Sequence, residues 1–148
     1  MYTPQRREVP RIRSALAALA IIATLTPPGL KTYDAELKQM HTTAYCIGTT
    51  TATGTQVREG VAAVDREHIG WVAVVYEDND GEPGKLIGLY NCEDTGKGGD
   101  ADGDGIGSIE AGQCIDIYRR NLDRCKEWMK DTGGKCWVRY YRQEDIGR

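Results

Sequence analysis

The stretch Asn91-Cys-Glu-Asp-Thr-Gly96 decides how this chain is read, together with Cys114-Ile-Asp-Ile-Tyr118 downstream and Gly60-Val-Ala-Ala-Val-Asp65 upstream. In each, an aspartate ends or punctuates a short apolar, β-branched run. Such a run reads as a strand that buries one face, with the carboxylate leaving the core at the strand's end. Asp65, Asp94 and Asp116 are therefore candidates for one shared cleft. Aspartate followed by glycine or threonine is also ordinary turn chemistry, and any one of the three alone reads as a turn residue. Their recurrence in one context is what points to a carboxylate framework.

Working outward, Trp71-Val-Ala-Val-Val-Tyr76 is a second unbroken apolar strand, covered on both sides. Asp78-Asn-Asp-Gly81 turns it back, and Lys85 to Cys92 returns as its partner. Thr42 to Cys46 reads as an earlier strand. It runs into Ile47-Gly-Thr-Thr-Thr-Ala-Thr-Gly54, a small-residue loop over which a polymer can approach the backbone, with hydroxyls and N–H groups facing sugar oxygens. A plain solvated loop is the competing reading of Thr49, Thr50 and Thr51. Arg119 to Lys130 places Leu122, Cys125, Trp128 and Met129 at helical spacing, with Gly133-Gly134 as the stop, so these four are expected in the core. Lys135 to Arg142 reads as the closing strand. His41 and His68 are far apart with no third histidine, so a histidine metal site is not expected, and His68 reads as a surface turn residue.

At 148 residues the chain is long enough for one domain with a real core. Arginines 6, 7, 11 and 13 precede the apolar run Ala15 to Leu25, which meets Thr26-Pro-Pro-Gly29. That order is an export signal, cleaved or kept as a short anchor, because the run is too short to span a bilayer comfortably. The expected division is 1–39 for signal and linker and 40–148 for the folded domain. Residues 1–30 hold four of the 19 basic side chains and one of the 22 acidic ones, which leaves 15 against 21, a net −6. A body so charged has no electrostatic reason to bind nucleic acid. A neutral glycan or a cation suits it better, and membrane contact is expected only through the N-terminal segment.

Five cysteines suit an exported chain. If Asp94 and Asp116 come from adjacent strands, strand alternation puts Cys92 and Cys114 on one matching face. That makes Cys92 with Cys114 the first pairing to expect and Cys125 with Cys136 the second, with Cys46 left over. Buried free thiols are the alternative.

The segment from Gly98 to Glu110 is rich in glycine and aspartate. Asp100, Asp102, Asp104 and Glu110 fall at positions 1, 3, 5 and 11 of a loop with Gly105 at position 6. An EF-hand loop uses 1, 3, 5 and 12 with glycine at 6, so the match is one residue short. Hard oxygen donors on a flexible turn make Ca²⁺ the possible ligand, and a solvated acidic loop the alternative. No other cofactor is called for.

Thr43-Ala-Tyr-Cys46, Thr51-Ala-Thr-Gly54, Gly60-Val-Ala-Ala-Val-Asp65, Glu93-Asp-Thr-Gly96 and Ile115-Asp-Ile-Tyr118, in that order, resemble the 3D (three-aspartate) domain of bacterial cell-wall proteins, the group of the MltA-type lytic transglycosylases and RlpA-like barrels. The resemblance runs from about Thr43 to Tyr141. It departs from the family at Asp65, which is followed by Arg66-Glu-His-Ile-Gly70 and no proline turn, and in the gap 116 − 94 = 22, wider than is usual in the family.

The resemblance implies a mainly β fold, a six-stranded double-psi β-barrel with one or two short helices. It also implies a secreted or cell-envelope enzyme that cleaves peptidoglycan glycan strands as a lytic transglycosylase, expected as a monomer. Such an enzyme needs only one group, because muramic acid's own C6 hydroxyl attacks C1 once a proton has been given to the leaving oxygen. The family assigns that role to the position of Asp116. Burial between Ile115 and Ile117, with Asp94 nearby, favours its protonated form. Asp94 and Asp65 would tune the proton or orient substrate. Tyr45, Thr51, Thr53, Gly54, Thr95, Gly96 and Tyr118 are the expected substrate contacts, and Tyr90 and Trp71 are further stacking candidates. A non-catalytic wall-binding or expansin-like module using the same groove is the alternative, and a calcium-dependent adhesion domain is a third.

Overall fold

The alternation Lys38-Gln-Met-His-Thr-Thr-Ala-Tyr45 buries Met40 and Thr42 and leaves Gln39, His41 and Thr43 exposed, a period of two that makes this stretch a strand, β1 (Lys38–Tyr45). It begins ahead of the residue expected to open the domain. The structure is a computed structural model and describes residues 36–145. The expected export signal lies outside the described residues. Among the described residues no helix is long and apolar enough to cross a membrane.

Five further strands follow: β2 (Val61–Val64), β3 (Trp71–Asn79), β4 (Glu82–Thr95), β5 (Cys114–Tyr118) and β6 (Lys135–Arg142). The fold is mainly β. The strands hydrogen-bond in a closed ring, β1-β5-β2-β4-β3-β6. β1 with β5 and β2 with β4 are parallel pairs, and the remaining four contacts around the ring are antiparallel. β3 and β4 are longer than the apolar runs that announce them, because the hairpin between them continues to its tip. Asn79 and Glu82 are the last registered pair, and Asp80 (φ 52°) and Gly81 (φ 88°) form the two-residue turn. Positive φ at both central positions matches the right-handed twist of the flanking strands.

Inside the ring, Ala62, Val64, Ala73, Val75, Ile115 and Ile117 pack together. The other face of β3 is also covered: Val74 and Tyr76 pack with Tyr141 of β6, against Leu86 and Trp137. The continuous run Val72 to Tyr76 is thus apolar on both sides for a structural reason.

The single α-helix among the described residues, α1 (Leu122–Thr132), starts at Asn121, whose side chain accepts from the Arg124 N–H at 3.0 Å. It ends at Gly133 (φ 61°), whose N–H returns to the Met129 carbonyl at 3.0 Å. Only Cys125 and Trp128 of its apolar residues are buried. Leu122 and Met129 are exposed, contrary to the expectation from spacing, because the helix lays a narrow i, i+3 stripe on the ring. Trp128 is the anchor. Its indole N–H donates to Thr42 Oγ1 at 3.0 Å, and its ring meets Tyr90 edge-on at 5.9 Å.

The first expected cysteine pairing, Cys92 with Cys114, rests on a premise the topology overturns. β2 stands between β4 and β5, so Cys92 and Cys114 are not on neighbouring strands. Cys92 Sγ faces the Tyr90 carbonyl and Cys114 Sγ faces Thr43 Oγ1. All five cysteines are free thiols.

Candidate functional site

Ala63, a buried residue of β2, is registered with Asp94 on β4 and with Asp116 on β5. Registered residues share a face, so the two carboxylates flank one small side chain across a single intervening strand, with carrier backbones about 9–10 Å apart at two interstrand spacings. A β-bulge between Ala62 and Ala63 sets this alignment. On the far side of Asp116, Thr43 and Tyr45 of β1 are registered with Asp116 and Tyr118. The Thr43 hydroxyl donates to Asp116 Oδ1 at 2.8 Å, the Tyr45 hydroxyl donates to Asp94 Oδ2 at 2.9 Å, and the Tyr45 and Tyr118 rings meet edge-on at 5.4 Å.

These contacts set the electrostatics. Asp116 is half-buried, and burial pushes its carboxyl above the ordinary aspartate range. The Thr43 hydrogen bond works against this, and the Asp94 charge adds to it. The Tyr45 phenol is pushed well up, by burial first and then by its hydrogen bond to Asp94, so it remains a donor. One carboxyl that favours its proton beside one held by fixed donors is an arrangement suited to delivering a proton.

The threonine loop is more ordered than a solvated loop. Thr50 and Gln56 form a bridge, and Thr51, Thr53 and Thr55 join hydroxyls. Thr51 is buried with its hydroxyl inside that network, so it supports the loop and does not face a ligand, a correction to its expected role. Thr53 and Gly54, the latter at φ 84°, remain exposed at the tip. The loop folds onto β4: the Ala52 N–H donates to Asp94 Oδ1 at 3.0 Å, the Thr53 N–H to the Glu93 carbonyl at 3.1 Å, and the Thr55 hydroxyl to Glu93 Oε2.

Arg58 grips Glu93 with two guanidinium contacts at 2.7 and 2.8 Å, and this holds the Glu93 carboxyl below the ordinary range despite partial burial. A depressed carboxylate contributes stability that is present above its unfolded pKa and is lost as pH falls through the folded one. Glu93→Gln is therefore expected to lower Tm by roughly 1–4 °C at pH 7, an exposed-pair effect. The difference from wild type should close as pH falls below the ordinary value of 4.5. A difference that persists at pH 2 would mean the loss is one of packing.

Asp65 has another set of partners. It lies just past β2 and caps a 3-10 turn (Arg66–His68), where its carboxylate accepts from the Glu67 N–H at 3.0 Å and meets His68 Nδ1 at 2.7 Å. His68 is not a plain surface residue: its ring stacks on Tyr140 at 3.9 Å and meets Trp71 edge-on. Asp65, His68, Tyr140, Lys38 and Glu110 line a cavity of about 460 Å³. Thr95 and Gly96 line another, of about 290 Å³, with Arg66, Lys97 and Glu110. Of the stacking candidates, Tyr90 is a core residue and Trp71 is half-buried beneath Arg142. Thr43, the Ala52 N–H, His68 and Arg58 are site partners that the motif reading missed. The i, i+3 spacing of Asp65 and His68 and the two-residue alternation of Thr43 with Tyr45 were the signals for two of them.

The acidic segment closes on itself. Ile109 and Glu110 N–H groups return to the Lys97 carbonyl, and Ser108 N–H to the Gly99 carbonyl. Gly107 is required there, because a Cβ would fall 1.8 Å from the Lys97 oxygen. Asp100, Asp102 and Asp104 are exposed, with carboxylate oxygens within 4.8 Å of one another. Glu110 stands outside that trio and accepts from the Gly107 N–H at 3.3 Å.

No family model, no curated protein and no solved structure matches this chain.

Proposed function

We propose that this chain is an exported enzyme that cleaves peptidoglycan glycan strands as a lytic transglycosylase, with Asp116 as its acid/base. The observation that carries the reading is the Asp94–Asp116 pair flanking Ala63, with Asp116 biased toward its protonated form. In the proposed cycle Asp116 gives its proton to the glycosidic oxygen, the C1–O bond breaks, and the muramic acid C6 oxygen bonds to C1. The Asp116 carboxylate then takes the C6 hydroxyl proton, so the chemistry balances without water. Asp94, held by the Tyr45 hydroxyl and the Ala52 N–H, tunes the proton through its charge on Asp116. Tyr118, with Thr53 and Gly54 at the loop tip, supplies sugar contacts. Parallel pairs β1–β5 and β2–β4 set among antiparallel ones support a double-psi β-barrel assignment for the ring.

Incubation of purified peptidoglycan with the protein, followed by mass spectrometry of soluble muropeptides, tests this directly. Products ending in 1,6-anhydro-muramic acid are expected. Free reducing ends would mean a hydrolase, and glycan binding without products would mean the wall-binding module.

The Asp100–Asp102–Asp104 trio fits a hard divalent cation by donor type, so Ca²⁺ is proposed as an accessory ligand with no role in the chemistry. By mass action, calcium at about ten times its Kd should stabilise the domain by about 1.4 kcal/mol. Melting in millimolar Ca²⁺ and in chelator should differ, and Asp102→Ala should remove the difference. Identical curves for the unmodified protein would rule calcium out.

A further inference from the structure

Cys46 and Cys125 lie together at one end of the ring. β1 ends at Tyr45, whose carbonyl accepts from the Arg119 N–H at 2.8 Å, so the chain leaving β1 and the chain leaving β5 run side by side there. Asn121 opens α1 only two residues later, and the Cys125 N–H closes its first turn on the Asn121 carbonyl at 3.1 Å. α1 packs on β1 through Trp128 and Thr42. Cys125 precedes Trp128 by three residues, on the same helix face, and Cys46 is the first residue past the end of β1. This placement puts the two side chains within reach of each other, and the Cys125 thiol is pushed up to about 11, by burial first and then by the neighbouring Cys46.

We propose that Cys46 and Cys125 form a disulfide that staples α1 to the end of β1 beside Asp116. Cys46 is the more exposed of the two, so it is the sulfur that meets a disulfide-donating oxidant first. Its thiolate attacks the donor disulfide and expels one donor thiolate. The Cys125 thiolate then attacks Cys46 Sγ and expels the other. Two protein thiols become one S–S bond, and the donor disulfide is reduced to two thiols that take up the protons. The other three cysteines, Cys92, Cys114 and Cys136, are buried on separate strands. The bond closes a loop of 125 − 46 = 79 residues, long enough for a large effect on the unfolded chain.

The test is to reduce the purified protein, equilibrate it with oxidised glutathione, alkylate it and map its peptides without reduction. A Cys46–Cys125 cross-linked peptide is expected, with Cys92, Cys114 and Cys136 alkylated only after unfolding. The oxidised form should melt higher than the reduced form by more than about 10 °C. Cys46→Ser should form no internal bond and should melt the same with and without oxidant. A different pairing, glutathione held on Cys46 without transfer to Cys125, or an oxidised form that melts no higher would each overturn the proposal. None of these outcomes depends on glycan cleavage.

Discussion

Asp116→Asn will lose glycan cleavage by about 10²–10⁴-fold, the usual contribution of a positioned proton donor, while the domain stays folded. The amide fills the same space and its oxygen still accepts from Thr43, but it has no carboxyl proton to give. A second consequence separates this from a structural defect. The Asp116 carboxyl is raised above its ordinary value of 3.8, chiefly by burial. A raised carboxyl contributes stability that is fully present below the unfolded pKa and is lost as pH rises through the folded pKa. The wild-type protein therefore carries a penalty at neutral pH that the asparagine variant does not. Asp116→Asn should melt at or above the wild-type temperature at pH 7, and the two should converge toward pH 3. A folded variant with wild-type turnover would remove Asp116 from the mechanism. A variant that melts lower at pH 7 would contradict the electrostatic account.

Trp128→Ala will destabilise the domain by about 3–5 kcal/mol, or more than about 10 °C in Tm. The side chain is buried, meets Tyr90 edge-on, lies under the Arg119 guanidinium at 5.8 Å and donates to Thr42 inside the ring. Removing it leaves a cavity beneath α1 and a buried hydroxyl without its donor. Denaturant unfolding of the variant measures this. Trp128→Phe, which keeps most of the volume and loses only the N–H, should cost well under half as much. A loss below about 1 kcal/mol for the alanine variant would mean that α1 does not depend on this contact.

Much of the ring was legible from local pattern. The runs around Val61, Trp71 and Cys114 are apolar over strand lengths, Asp80-Gly81 marks its own turn, and Asn121 and Gly133 bracket the helix. The strand order was not legible, because register across a ring depends on partners far apart in sequence. That is why the Cys92–Cys114 pairing fails and the free-thiol alternative holds: the pairing is conditional on Asp94 and Asp116 lying on adjacent strands, and β2 lies between them. Ala63, the small residue that separates the two aspartates, belongs to the Gly60 to Asp65 motif, but its place between them comes from the strand order. The local partners of Asp65 were not legible either. Its carboxylate has a nearer task in capping its own turn and holding His68, and a local hydrogen bond of that kind competes with any role across the ring. Among the threonines, composition alone does not distinguish Thr51, bound inside the loop, from Thr53 at its tip.

The proposed chemistry rests on a carboxyl at position 116 raised above the ordinary aspartate range because it is half-buried beside Asp94. Titration of the Asp116 side-chain carbon by ¹³C NMR measures this without substrate. The midpoint is expected above 3.8, and it should move down when Asp94 is replaced by asparagine, since the like charge across Ala63 is removed. A midpoint at or below 3.8, unmoved by Asp94→Asn, would contradict the account.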